Sequence, residues 1–232
     1  SLVGDVALKA TRVGRRVAEL YIAPLSAKRI IDNVEAKNDL GYLTIINHCS
    51  EMKPALRVKK TDDVDSKLVN MKIKIPDVWD VEYEDFISAF KTSLMFRDWM
   101  SETGEDKILE MYSVAPGELY TKTLNMEWML YSARELSVLL NKGEAANTFN
   151  KLRLRVKYGV KEELLPLIEL RGIGRVRARL LWNSGIRKPA AILKTPKERL
   201  EKLLGPKTAA DIVKQLSEPR DEKFSRIKSR NR

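Results

Sequence analysis

The chain has 232 residues, of which 43 are Lys or Arg and 32 are Asp or Glu, and its formal net charge is +11. One cysteine (Cys49) and one histidine (His48) exclude an internal disulfide, argue against a zinc site and fit a reducing, intracellular setting. No long apolar span, signal peptide or lipidation motif is found, which argues against a role at a membrane.

The first thirty residues predict a few elements that cannot form a core by themselves. A strand is predicted over 5–11 and a helix over 14–22, ended by Pro24. Ser26 is a suitable N-cap for a further helix that continues to about residue 37. We expect these elements to pack on later residues of the chain, or on a part of the protein outside this sequence.

A helical bundle is predicted over 26–158, and the chain has room for a second domain after it. Within 82–102, the apolar stripe of Phe86, Phe90 and Leu94 indicates core, and the adjacent His48 and Cys49 are interpreted as packing residues. The helix candidates, separated by Gly, Pro or acidic residues, are 39–48, 63–74, 82–102, 105–112, 116–141 and 144–158.

The longest predicted helix, 116–141, begins with Pro116 at a tolerated first-turn position. Trp128 lies nearly opposite its apolar side, among polar residues at helical spacing, where an indole could stack on a nucleobase. Leu124 and Tyr131 lie near the same side, so the helix could instead be buried nearly all round with Trp128 in the core. Periodicity leaves both interpretations open.

Residues 159–217 predict a compact helix-hairpin-helix domain. Two apolar-periodic segments meet at Gly172-Ile173-Gly174, and these glycines permit a tight turn and a close approach of the backbone to a ligand. The free N–H groups and dipole at the start of the second helix can bind a phosphate. Arginines surround this turn, which predicts sequence-independent binding of a nucleic-acid backbone. The alternative is a C-cap glycine followed by a solvated arginine face. The basic residues concerned are Arg171, Arg175, Arg177 and Arg179.

A looser second hairpin is predicted at 200–210, where Lys207 follows Gly205 and Pro206. Proline weakens the argument for an anion site there, so this hairpin is expected mainly to complete the fold. Residues 218–232 are polar and basic, and we expect a disordered tail that adds non-specific affinity or docks a partner protein.

Charge is distributed unevenly between the two predicted domains. Residues 1–150 carry 20 Lys and Arg against 23 Asp and Glu, whereas residues 151–232 carry 23 against 9. A basic C-terminal third on a near-neutral body is typical of a nucleic-acid-binding module.

Sequence signs of catalysis are missing from this chain. It contains no phosphate-cradling loop for ATP, and its acidic residues are scattered over helix starts and loops, which disfavours a two-metal nuclease centre. The chain by itself is therefore expected to bind rather than to catalyse, with no catalytic or metal-binding residue.

Three segments carry a resemblance to a known family. Residues 10–26 (ATRVGRRVAELYIAPLS) resemble the close of the winged-helix domain in archaeal Hjm/HelQ-type superfamily 2 DNA helicases. Residues 115–119, running into Glu127-Trp128, resemble the start of that family's long ratchet helix. Residues 158–165 and 171–180 are similar to its C-terminal helix-hairpin-helix domain.

The resemblance spans essentially the whole chain in family order and implies its organisation. A mainly α fold is expected: the end of a winged-helix domain over 1–25, a helical bundle over 26–158 with ratchet helix 116–141, and a helix-hairpin-helix domain over 159–217. It further implies the C-terminal part of a 3′–5′ DNA helicase whose ATP- and Mg²⁺-binding motor domains lie outside this sequence. In the family, the ratchet helix stacks on bases and the last domain holds the exiting strand.

Residue by residue, the resemblance assigns base stacking to Trp128 and contact with the emerging strand to Arg175, Arg177 and Arg179. Some family members have an arginine two turns before the tryptophan, where this chain has Thr121 followed by Lys122. The full candidate DNA-binding set is Trp128, Lys122, Arg171, Gly172, Gly174, Arg175, Arg177, Arg179 and Lys207.

The sequence thus predicts a region that binds single-stranded or forked DNA, in a cytoplasmic, nucleoid-associated repair helicase. Its expected partners are branched DNA, its own motor domains and, through the tail, replication-fork proteins. Two alternatives remain: an RNA-binding module, and a stand-alone module that docks a protein through the basic tail.

Overall fold

A computed structural model describes residues 9–35, 38–60, 62–68 and 73–217. The chain divides into two compact units, the first ending at Lys157 and the second beginning at Tyr158. In the described residues all regular elements are helices, so the mainly α fold is confirmed. The strand predicted over 5–11 falls largely outside the described residues, and a winged-helix remnant stays a prediction.

The first unit is a helical bundle. Five of the helices predicted from periodicity begin and end within two residues of the observed bounds, whereas the helix predicted over 63–74 is described only in part. The helices are α1 (Arg12–Glu19), α2 (Pro24–Asp32), α3 (Asp39–Asn47), α4 (Asp65–Leu68), α5 (Tyr83–Met100), α6 (Glu105–Tyr112), α7 (Pro116–Leu139) and α8 (Gly143–Tyr158).

The start of α2 differs from the prediction, which made Ser26 its N-cap. The helix begins at Pro24, because proline lacks only an N–H that has no partner at a helix start. Ser26 is buried and donates its hydroxyl to Glu51 at 2.5 Å. Glu51 also accepts the backbone N–H of the N-cap residue Ala23 at 2.6 Å. A distant carboxylate therefore caps α2.

The main core of the first unit is built around α7. Its buried side chains include Met126, Met129 and Leu130, and α5 and α8 contribute Phe96 and Phe149. Residues before position 26 belong to the same core, since three of them are buried in it: Val17, Leu20 and Ile22.

A smaller core lies beneath the first half of α5. The apolar stripe predicted in this helix, Phe86, Phe90 and Leu94, packs here with Val64 and Leu68.

Buried lysines fasten the irregular segment 53–60 to the bundle. Lys91 donates to the carbonyl oxygen of Arg57 at 2.9 Å and to a carboxylate oxygen of Asp62 at 2.6 Å. Lys122 donates to the carbonyl oxygen of Pro54. A buried ammonium group is tolerated only when it is hydrogen-bonded, so both lysines support the fold.

The second unit consists of two helical hairpins, α9–α10 and α12–α13, joined by α11. A single core holds them together, with Leu167, Ile173, Leu181, Ile192 and Ile212 among its buried members. The helices are α9 (Leu165–Ile168), α10 (Arg175–Asn183), α11 (Pro189–Leu193), α12 (Lys197–Leu204) and α13 (Pro206–Ser217). Across the described ranges, no helix is long and apolar enough to cross a membrane.

The carboxylate cap of α2 should make the stability of the first unit depend on Glu51. Burial by itself raises the pKa of this carboxyl, but hydrogen bonds from Ser26 and the Ala23 N–H outweigh it and hold the pKa below its ordinary value. The stabilisation is therefore present above the unfolded-state pKa and is lost as pH falls through the folded-state pKa. We expect Glu51→Gln to cost about 1 kcal/mol at pH 7 in urea unfolding.

The difference from the unaltered chain should shrink as the solution is acidified below pH 4.5, the ordinary pKa of a glutamate. Glu110→Gln, at an exposed position of α6, is the matched control and should change the free energy of unfolding little at either pH. Equal effects of the two substitutions would contradict the capping role.

Candidate nucleic-acid interface

The first hairpin turn, 169–174, reverses the chain between α9 and α10. Gly172 adopts a φ of +91°, a left-handed conformation that side chains with a Cβ rarely take. The next residue, Ile173, is 3% exposed and belongs to the core, and its N–H donates to the carbonyl oxygen of Leu170 at 3.0 Å. The buried isoleucine anchors the turn, while Gly172 and Gly174 remain on the surface.

Gln215 on α13 holds this turn from the second hairpin. Its side-chain oxygen accepts the backbone N–H of Arg171 at 3.0 Å, and its side-chain nitrogen donates to the Arg171 carbonyl at 3.4 Å. The two hairpins are thus coupled through the backbone of the candidate site. Sequence reasoning misses Gln215, because no spacing pattern links residues so far apart.

Within the described ranges, the N-terminus of α10 has room for a ligand. Gly174 is its N-cap and provides no side-chain cap, and no heavy atom of a described residue lies within 4 Å of the place where a Cβ would stand. The first N–H groups of a helix have no intrahelical partner and form the positive end of its dipole. This end can therefore accept an anion at close range.

Basic side chains surround this helix start. Arg171 and Arg177 are exposed, and Arg177 donates to the carbonyl oxygen of Gly172 at 2.9 Å, which holds its guanidinium beside the turn. Arg175, the first residue of α10, is partly buried. The structure thus brings most of the predicted hairpin residues to one turn.

The remaining predicted cations of the second unit are placed differently. Arg179, one turn along α10, forms an ion pair with Glu163 at 2.8 Å. Lys207 is exposed in the first turn of α13, after Gly205 with its φ of +81°. Lys207 therefore belongs to the second hairpin rather than to the arginine-rich turn.

Trp128 on α7 lies at the edge of the first unit's core. Its indole N–H donates to the carbonyl oxygen of Leu20 at 3.1 Å, and the ring is partly buried. Its neighbours on the helix surface, Leu124 and Tyr131, are 46% and 39% exposed. The helix α7 is therefore not buried nearly all round, but Trp128 does pack on the core, at the border of a solvent-facing apolar strip.

Lys122 does not take the place that the sequence predicts for it. The residue is 5% exposed, and its ammonium donates to the Pro54 carbonyl and lies 3.5 Å from the Glu118 carboxylate. A lysine held in this way does not present its charge to a nucleic acid. This burial argues against the predicted DNA contact.

Cys49 and His48 are packing residues. Burial raises the pKa of the Cys49 thiol to about 12, so the thiolate needed for nucleophilic attack does not form near neutral pH. Burial and the nearby Arg29 hold the pKa of His48 below its ordinary value.

The fold and the exposed arginine turn define a tandem helix-hairpin-helix module that follows a helical bundle in the chain. Residues 164–218 match the family described as SAM-like helix-hairpin-helix tandem. Residues 40–159 match the family described as archaeal helicase, domain 4, and the chain belongs to this family.

Three similar relatives bear the description ATP-dependent DNA helicase Hel308. The protein of Methanocaldococcus jannaschii is 37% identical over 211 residues, which are 89% of this chain and 17% of the relative. That of Methanococcus vannielii is 39% identical over 222 residues, covering 90% of this chain and 29% of the relative. That of Pyrococcus horikoshii is 35% identical over 223 residues, covering 91% of this chain and 31% of the relative. The chain thus spans less than a third of the length of each.

The left-handed backbone conformation at position 172 favours glycine over any residue with a Cβ. We expect Gly172→Ala to lower the stability of the second unit by about 1–2 kcal/mol, because a Cβ disfavours this backbone conformation. Hydrogen exchange of amides in 158–217 during urea titration measures the loss. Gly143→Ala in α8, where the backbone is not left-handed and the added methyl meets no neighbour within 4 Å, should leave stability unchanged or raised. Equal stability of both variants would show that the turn is not constrained.

Proposed function

We propose that this chain is a DNA-binding region of an ATP-dependent 3′–5′ DNA helicase, which guides and restrains the translocating single strand of chromosomal DNA. ATP and Mg²⁺ would bind to motor domains outside this sequence, and the described residues would bind the DNA strand. The observation that carries the proposal is the uncapped N-terminus of α10 with its flanking arginines. The relatives described as DNA helicases support the same assignment.

The hairpin would hold the DNA through its backbone. A phosphate at the first turn of α10 would receive main-chain N–H groups, and the side chains of Arg175 and Arg177 would neutralise it and its neighbour. Gly174 leaves room for this approach because it has no side chain. Such contacts do not depend on base identity, so the grip would hold any sequence as it passes.

Trp128 would supply a different contact, a stack against a base. Its ring is fixed by the bond from the indole N–H to Leu20, so little freedom is lost when a base lies on the exposed part. Every base has a π-face, and stacking is therefore tolerant of sequence. A rigid platform that engages successive bases would resist backward slipping of the strand.

The two alternatives predicted from the sequence, an RNA-binding module and a protein-docking module, can be distinguished by the ligand that each would bind. Phosphate contacts of this kind do not select the sugar, so competition between DNA and RNA oligomers of one sequence decides that question. Residues 218–232, the predicted docking tail, lie outside the described residues. Deletion of 219–232 followed by separate DNA- and protein-binding assays tests that alternative.

The hairpin arginines should determine both affinity and its salt dependence. We expect Arg175→Ala/Arg177→Ala to weaken binding of a single-stranded oligonucleotide about tenfold at low salt. The slope of log affinity against log salt should become shallower by about 1.4, since two phosphate contacts are lost at about 0.7 each. Fluorescence anisotropy over about 50–300 mM salt measures both quantities.

Lys107→Ala, at an exposed position of α6, is the control that removes positive charge elsewhere and should leave the slope unchanged. An affinity of the unaltered chain that stays constant over the same salt range would rule out the electrostatic account.

The stacking role of Trp128 can be separated from its packing role by a matched tryptophan. Trp99 also packs on the main core, and its indole N–H donates to a carbonyl oxygen, that of Val156, at 2.7 Å. We expect Trp128→Leu and Trp99→Leu to destabilise the first unit to a similar extent. Only Trp128→Leu should weaken single-strand binding, by about tenfold. Equal DNA affinities of the two variants would count against the stack.

A further inference from the structure

A second basic turn of the C-terminal unit lies at the opposite end of α10. The Gly185 N–H donates to the Trp182 carbonyl at 3.0 Å, and the Ile186 N–H donates to the Leu181 carbonyl at 2.9 Å. With a φ of +85° at Gly185 and a buried Ile186, this is a Schellman ending of the helix. The turn is therefore a defined structure rather than a loose connection.

This ending directs Arg187 over Trp182. The central carbon of the guanidinium lies 5.1 Å from the centre of the indole ring, a cation–π contact. Arg187 is exposed, whereas Trp182 is partly buried against the core of the unit. The indole is thus packed against the core and carries the long, solvent-facing Arg187 side chain over its ring.

The sequence around this pair is rich in cations, although Arg179 and Lys197 pair with Glu163 and Glu201. Residues 175–197 contain seven Lys and Arg and no Asp or Glu. Arg199 adds a further cation and donates to the Ser184 carbonyl at 2.7 Å, within the same turn. Among the described residues, no carboxylate pairs with Arg187. A polyanion would be attracted here without displacing an ion pair of Arg187.

Trp182 also lies on the line of the first hairpin's arginines. Arg175, Arg179 and Trp182 are spaced four and three residues apart, so they share one side of α10. Arg175 and Trp182 are about 10 Å apart along the helix axis. A strand held at the start of α10 would therefore pass towards the indole.

Trp182 differs from the two tryptophans of the main bundle core. The indole N–H groups of Trp99 and Trp128 are bonded to backbone carbonyls. In the part of the chain that the structure describes, the N–H of Trp182 has no such partner and is available to a ligand. A base that displaced Arg187 from the ring would meet this N–H at the edge of the indole.

We propose that Trp182 and Arg187 form a second single-strand contact, in which an unpaired base stacks on the indole while Arg187 moves from the ring to the adjacent phosphate. This rests on the proposed DNA-binding function and adds a site to it. The exchange is favourable because a base stack is stronger than an exposed cation–π contact, and the guanidinium gains a charged partner. The second unit would then hold bases as well as backbone.

The test compares the 232-residue chain with Trp182→Leu and Arg187→Gln on two probes: a twelve-residue oligothymidylate and an abasic strand of equal length. Trp182→Leu should weaken oligothymidylate binding about tenfold and leave the abasic strand unaffected, because only the base is lost from the contact. Arg187→Gln should weaken both strands severalfold, because it removes a phosphate contact. Trp99→Leu is the control for loss of an indole and should change neither.

Photocrosslinking of the unaltered chain to an oligothymidylate carrying 5-iodouracil provides a measurement that does not depend on the folding of a variant. A crosslink at Trp182 is expected, and crosslinks that map only elsewhere would overturn the site. If Arg175→Ala/Arg177→Ala weakens binding but folded Trp182→Leu does not, this inference is wrong and the proposed function stands. If the unaltered chain does not bind the oligonucleotide, both are wrong.

Discussion

The second unit depends on one repeated constraint: the chain must turn sharply at a helix end and still keep its apolar residues in the core. At Gly172 and Gly185 a left-handed glycine makes the turn, and the following residue, Ile173 or Ile186, is buried. The buried isoleucine fixes the turn, and the glycine removes the Cβ that would oppose it. The chain then returns towards the surface, with Arg187 directly after Ile186 and with Arg175 after Ile173 and Gly174. Packing therefore positions the cations, so that the same few residues would meet the requirements of the fold and of the proposed anion binding.

Charge has a different use in the first unit, where Lys91 and Lys122 are 5% exposed and fasten irregular chain to helices. An ammonium group buried without a partner would be strongly unfavourable, so carbonyl and carboxylate oxygens satisfy both lysines. The near-balance of charge in residues 1–150, 20 basic against 23 acidic, is thus partly a balance of structural pairs. Net charge by itself does not identify a binding surface. A candidate binding surface is one whose cations remain exposed to solvent.

Helical periodicity predicted the fold well because α5, α6, α7 and α8 each repeat a local pattern over several turns. Glycine chemistry predicted the hairpin for the same reason, since a tight turn is a local demand. Long-range contacts were not predictable. The carbonyl that binds Lys122 belongs to Pro54, and the one that binds the Trp128 indole belongs to Leu20, which lies 108 residues earlier in the chain. A helical wheel gives the direction of a side chain but not the segment that covers it. Sequence therefore predicted a DNA contact for Lys122, which is buried, and periodicity by itself left the surroundings of Trp128 undecided.

The salt dependence of DNA binding also depends on which cations are exposed and which are paired within the fold. Counterions are released only where a cation meets a phosphate, so the slope counts contacts and not formal charge. Arg179 is already paired with Glu163, and a phosphate would have to compete with that carboxylate, which reduces the net gain. Arg171, Arg177 and Lys207 are exposed and pair with no carboxylate of a described residue, so this cost does not arise there. A slope much smaller than the excess of 23 basic over 9 acidic residues in 151–232 is therefore consistent with tight binding at the hairpin. The slope would not count the proposed stacking of indoles on bases, which would persist at high salt.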